Sequence, residues 1–220
     1  MDSAMNESLL QNLENVEQVL KKSYQQLMEI MSKSGCHMDF YTIGTVKRSL
    51  SLANAFILLI RNQNYFVPSA LLRLQIDNCL RYHATYLVAD PNIFAEAIMN
   101  GERIDHYRDR TNHKMRDGYL VDSLSDKYPW VRLLYDEACK DVHLSDKHLL
   151  SIFSSTDQQS FTARIEVSPF DRYIDFDEWK HLIDDFTMIT VLLNTLVEGW
   201  IREKRSKQKS TGSTEIIPDG

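Results

Sequence analysis

The chain has 220 residues, 43% of them hydrophobic, which is enough for one domain with a substantial core and leaves a second independent domain unexpected. Its net charge of -6 excludes a surface that tracks nucleic acid as a whole, although a local basic patch can survive within an acidic total. Only 7 glycines and 5 prolines are present, and the prolines fall between apolar runs, which suits long helices with short connections better than a strand-and-turn architecture.

The N-terminal ten residues carry Asp2 and Glu7 and lack the basic and apolar regions of a signal peptide, so no export is expected. Over residues 5–33, Leu9, Leu13, Val16, Leu20, Tyr24, Leu27 and Met31 recur every three or four positions and predict one long amphipathic helix. Ser34-Gly35 stops it. A second helix is predicted over 42–63, apolar on most sides from Ala53 to Ile60, and so placed centrally. Pro68 opens a third, with Leu72, Ile76, Cys79, Leu80, His83 and Leu87 as its buried stripe, closed by Asp90-Pro91.

A short helix over 94–99 breaks at Asn100-Gly101, and a charged helical stretch is predicted over 102–115, ended by Asp117-Gly118. Pro129 begins a helix through Trp130, Leu134, Ala138 and Val142, and Ser145-Asp146 resembles the cap of a short helix ending near Phe153. The alternation Phe161, Ala163, Ile165, Val167 predicts a small strand over 160–167, paired in a hairpin with 172–176. Asp177 caps the last helix, whose stripe runs from Trp179 to Trp200. Residues 206–220 are polar and basic and are expected to be a disordered tail on a single helical domain of residues 1–205. The predicted fold is all-α, an up-and-down multi-helix bundle with a small β-hairpin between the last two helices.

The uncharged stretches 49–60 and 186–197 fall short of the ~20 residues that cross a bilayer, so no membrane is expected. Cys36, Cys79 and Cys139 are odd in number and form no CxxC pair, which fits a reducing cytoplasm. The last helix is apolar nearly all round from Phe186 to Val197, more than one core face requires, which points to a homodimer.

Three clusters could carry chemistry. Arg73, Asp77 and Arg81 follow at four-residue steps on one helix face, either as an ion-pair ladder that docks the helix or as an anion site in which Asp77 orients a guanidinium. Tyr135, Cys139 and His143 share a second face; one Cys and one His supply two of the four ligands a metal needs, so no metal or cofactor is expected, and a packed histidine near a helix end is the plainer account. In Arg108-Asp109-Arg110-Thr111-Asn112-His113, a helix would place Asp109 about 40° from His113, close enough to fix the imidazole tautomer for acid–base work. The plainer account there is a solvated charged helix. Glycine-rich phosphate loops, HExxH, GxSxG and EF-hand patterns do not occur.

The segments Leu71-Leu72-Arg73-Leu74-Gln75-Ile76-Asp77 and Leu134-Tyr135-Asp136-Glu137-Ala138-Cys139-Lys140-Asp141-Val142-His143-Leu144-Ser145 resemble helical bacterial proteins of the HEPN-like kind, in helix order over about residues 40–153. That resemblance implies an interaction or ligand-binding module, with RNA or protein as partner, in phage defence or a toxin–antitoxin setting. Active members are metal-independent, usually dimeric ribonucleases with an Arg, often followed by a polar residue, and a His four to six positions beyond. Arg108-Asp109 with His113 fits those letters; Ala138-Cys139 with His143 fits the helical context, but Ala138 stands where the arginine belongs. A nuclease at His143 would then need Arg73 or Arg81 to meet the developing phosphorane charge from another helix.

Overall fold

In a computed structural model the protein is an all-α bundle with one small hairpin. It describes residues 3–32, 34–142, 148–149, 152–157, 162–165, 167–171 and 174–212. Its helices are α1 (Ser3–Met31), α2 (His37–Arg61), α3 (Phe66–His83), α4 (Pro91–Met99), α5 (Asp117–Ser125), α6 (Trp130–Val142) and α7 (Phe176–Gly212). Two single 3₁₀ turns, Ala84–Tyr86 and Ile104–His106, flank α4, and strands β1 (Phe153–Asp157) and β2 (Thr162–Ile165) precede α7.

The periodic apolar positions do what a 3.6-residue repeat demands. Leu10, Leu13, Leu20, Leu27 and Ile30 of α1 are buried, and α7 buries Trp179, Ile183, Phe186, Ile189, Leu193 and Val197. α7 packs along α1 on one side and α3 on another, while Phe186 stacks on Phe56 of α2 with ring centres 4.1 Å apart. The apolar surround of α7 that pointed to a twofold interface is therefore mostly covered within the chain; Met188 and Val191 are its exposed large apolar residues. By length and composition α2 could cross a bilayer. Here Met38, Val46, Ala53, Phe56, Ile57 and Ile60 are buried as α2 packs against α1, α3 and α4.

Polar side chains fix how the central helices register. Gln75 of α3 donates through Nε2 to Ser49 of α2 at 2.6 Å and to Thr190 of α7 at 3.0 Å, all three fully buried. Ser23 of α1 donates to Asn194 of α7 at 2.9 Å. Such bonds stabilise less by their net strength than by the cost of burying their groups unpaired in any other register.

Several predicted features differ. α2 begins at His37, five residues early, because the Asp39 carboxylate accepts the Cys36 N–H at 2.9 Å and closes the first turn. Residues 102–115 are not a helix. They form the second 3₁₀ turn and a reverse turn closed by a bridge between Arg108 and Lys114, with Asn112 at φ 71°. Asp117 starts α5 instead of stopping a helix.

The hairpin partner of β2 is β1, antiparallel with Thr156 opposite Ala163; of the expected partner 172–176, the described residues 174–176 are in no strand and 172–173 lie outside the described residues. The chain before α7 is held elsewhere: Asp171 N–H donates to the Gln63 carbonyl at 2.7 Å, and the Asp171 carboxylate accepts the Tyr65 N–H at 2.7 Å. Finally, the tail expected to be disordered from Ser206 continues α7 to Gly212, with Lys207 paired to Glu203 at 2.7 Å and Gln208 donating to the Ile30 carbonyl at 3.2 Å. Of the short helix expected from Ser145 to near Phe153, residues 148–149 are helical, Ile152 lies in a turn and Phe153 begins β1, and the rest lies outside the described residues.

Candidate anion-binding site

The stripe Arg73, Asp77, Arg81 on α3 is the centre of a charged network that joins four helices. Asp77 accepts from Arg81 Nε at 3.0 Å and from Arg48 of α2 at 3.1 Å. Asp117, the first residue of α5, accepts from Arg81 at 2.6 Å and from Arg73 at 3.3 Å. Arg73 also donates to the Tyr135 hydroxyl at 3.2 Å and to Cys139 Sγ at 3.4 Å, with its guanidinium 4.4 Å from the centre of the Tyr135 ring.

Two clusters that the sequence kept apart are thus one: Tyr135 and Cys139 of α6 are the walls of the Arg73 site. His143 lies outside the described residues. Burial at Arg73 works against its charge, but the bond to Cys139 and the nearby Tyr135 and Asp77 outweigh it and raise its pKa. Burial likewise pushes the Tyr135 phenol up against the pull of Arg73, so it remains protonated.

Beside this network opens a cleft of about 560 Å³ lined by Arg81, Arg103, Ile104, Asp105, Arg116 and Asp117. Its three arginines come from three places: α3, the residue before the second 3₁₀ turn, and the residue before α5. Arg103 grips Asp105 with two bonds of 3.0 and 2.7 Å, and that grip holds the half-buried Asp105 carboxyl below its usual range. Arg116 is exposed and has no ion-pair partner among the described residues. Arg48, Arg73, Arg81, Arg103 and Arg116 face Asp77, Asp105 and Asp117, which leaves positive charge in excess by two across these eight side chains. The N-terminus of α5 adds its partial positive charge on the same side.

The other predicted site residues form a separate structure. Asp109 and His113 are close, with Oδ2 and Nδ1 4.0 Å apart, through a turn and not along a helix. The Asp109 carboxylate accepts the backbone N–H groups of Thr111 and His113 at 2.9 and 2.8 Å, together with the Tyr119 hydroxyl. Burial raises its pKa, and the bonds from Tyr119, His113 and Thr111 outweigh that and hold it down to about 2. The Thr111 hydroxyl sits between acid and imidazole, 2.8 Å from His113 Nδ1. His113 stacks on Tyr119 with its side chain 65% exposed, and Arg108 donates to the Asn112 carbonyl at 2.7 Å.

Sequence reasoning missed Arg48, Arg103, Arg116 and Asp117. Only Asp117 carried a local signal, an acidic residue just ahead of Leu120, Val121 and Leu124 at helical spacing, which marks a start. Among the described residues no group of His, Cys, Asp and Glu is arranged to hold a metal. No protein-family model, curated protein or solved structure matches this chain.

Proposed function

We propose that the chain is a helical ligand-binding module whose ligand is an anion seated between α3, α5 and the turn at Arg103. The observation that carries this reading is the convergence of Arg81, Arg103 and Arg116 on one cleft, with Arg116 unpaired among the described residues and Arg81 held by two carboxylates. A guanidinium presents a planar fork that matches phosphate or carboxylate oxygens, and one already fixed by Asp77 and Asp117 loses little freedom on binding. A cytoplasmic setting belongs to this reading and is supported by three unpaired cysteines. The HEPN-like resemblance adds phage defence or a toxin–antitoxin pair as the setting, with RNA or a protein as the bearer of the anion.

The test is calorimetric titration of the full chain with inorganic phosphate and pyrophosphate at low salt. Binding is expected, weakened at least about tenfold by Arg116→Gln and by Arg81→Gln, and weakened by added salt. Absence of binding by the wild type sinks the reading.

A second reading is a metal-independent ribonuclease, favoured by one observation: the Thr111 hydroxyl, backed by Asp109, holds Nδ1 of an exposed imidazole. In that reading His113 would take the proton from a ribose 2′-hydroxyl, with Arg108 meeting the phosphate and His143 as the alternative base, and DNA would be no substrate. Incubation with RNA in chelator, beside His113→Ala and His143→Ala, decides it. Intact RNA with the wild type removes it, as does cleavage that both variants retain.

A further inference from the structure

The anion cleft does not stand alone on α3. A second cleft, of about 460 Å³, is lined by Ala70, Arg73, Leu74, Asp77, Cys139 and Val142. Ala70, Leu74, Asp77 and Arg81 follow at helical spacing, so one stripe of α3 floors both clefts. The border between them is made of two ion pairs already described, Asp77 with Arg81 and Arg73 with Asp117. Beyond that border the surface changes character. Leu74 and Val142 are 43% and 49% exposed, and Val67 continues the apolar stripe one turn further at 48%.

What sets Leu74 and Val142 apart from other exposed aliphatic residues is that they line a cleft adjoining the cationic one, an arrangement that a ligand with an apolar part and a charged part would use. Seven residues from Leu74 to Arg81 span about 10 Å along the helix, a length that a short alkyl or acyl chain covers. Both clefts also fall in the size range of small-molecule sites. Resting on the anion reading above, we infer that the ligand is a small single-chain amphiphile: a phosphate or carboxylate head on Arg81, Arg103 and Arg116, and an apolar chain laid over Leu74 and Val142. Charge complementarity chooses this occupant over a purely apolar one, because the apolar cleft ends on Arg73 and opens toward an excess of arginine.

Full-length protein is titrated with methyl phosphate and with octyl phosphate below its micellar concentration, two probes with the same head. Each buried methylene is worth roughly a fourfold gain, so octyl phosphate is expected to bind at least about tenfold more tightly. Leu74→Ser and Val142→Ser, both at exposed positions, are expected to bring octyl phosphate down to the methyl phosphate level while leaving methyl phosphate unchanged; Arg116→Gln weakens both. Equal binding of the two probes overturns the amphiphile and leaves the anion reading standing, and so does an octyl advantage that survives both serine variants. Binding of neither probe overturns the anion reading and this inference with it. Capture on vesicles of anionic phospholipid, without binding of monomeric octyl phosphate, overturns the soluble amphiphile in favour of a membrane surface.

Discussion

Lys204 Nζ meets the Asp39 carboxylate in the interior, with 8% of one side chain and none of the other exposed, and so ties the far half of α7 to the first turn of α2. The same carboxylate accepts from Trp200 Nε1 at 3.0 Å and from the Cys36 N–H at 2.9 Å, so both of its oxygens have partners. Removing one partner of a buried pair strands the other. Asp39→Ala is expected to lower unfolding stability by about 3–5 kcal/mol in urea denaturation, and Lys204→Met by less, because Trp200 and Cys36 still satisfy the acid. The double variant is expected to lose less than the sum of the two; strict additivity would show that the pair contributes nothing.

Gly199 is required by its neighbour. A Cβ at this position would stand 2.5 Å from the Tyr86 hydroxyl, which itself donates to the Leu196 carbonyl. Gly199→Ala is expected to cost about 1–3 kcal/mol through overpacking, despite alanine's better helix propensity. In a Tyr86→Phe background the nearest remaining ring atom is at 3.5 Å, so the same substitution is expected to become neutral or stabilising. Melting temperatures of the four proteins check the reversal of sign.

Acid acts on two half-buried groups in opposite senses. Burial lowers the His83 pKa from 6.5 to about 4, with its Nε2 3.1 Å from the Ser123 hydroxyl. Between those values the unfolded chain binds a proton that the folded chain refuses, so stability falls as pH drops from about 6.5 to about 4, by no more than about 3 kcal/mol. Burial raises Asp185 from 3.8 to about 6, against the pull of His181, so the folded chain holds the extra proton there and stability falls as pH rises across that range. The two oppose each other between about pH 4 and 6. His83→Gln is expected to remove the loss seen on acidification from pH 6.5, and Asp185→Asn to steepen it; unchanged profiles of unfolding free energy against pH would refute both assignments.

Much of the bundle was legible in the sequence, and the turn at 102–116 shows what was not. α1, α3, α6 and the body of α7 follow from periodicity because each buries one stripe, and the stripe is written locally. Residues 102–116 carry helix-compatible letters, but the Asp109 carboxylate captures two backbone N–H groups that a helix would need, and Arg110 is pulled onto the carbonyls of Tyr86, Leu87 and Val88. The partners of Arg110 lie more than twenty positions away, beyond any local window. The site divides in the same way: the α3 arginines were visible as a face, while Arg103 and Arg116 join them only because that turn is folded back.

Asp117 both orients the arginines and repels an anion, and the two effects separate under substitution. Asp117→Asn keeps an oxygen to accept from one guanidinium and removes the charge. Its stability is expected to fall by about 1 kcal/mol, as for other partly exposed pairs. Phosphate affinity at low salt is expected to rise several-fold, an advantage that fades with added salt. Weaker binding in this variant at every ionic strength would mean that orientation outweighs charge in this cleft.

The embrace of α1 and α3 by α7 sets the order of events during synthesis. The first and third helices are only partly covered by α2, α5 and α6 until residues 176–205 leave the ribosome, so until then the nascent chain keeps an incomplete, adhesive face. Folding that depends on meeting such distant partners is slow for a helical protein. A stall or cut before Trp179 would release a sticky fragment for chaperones and proteases, where trimming past Arg205 would leave a finished molecule.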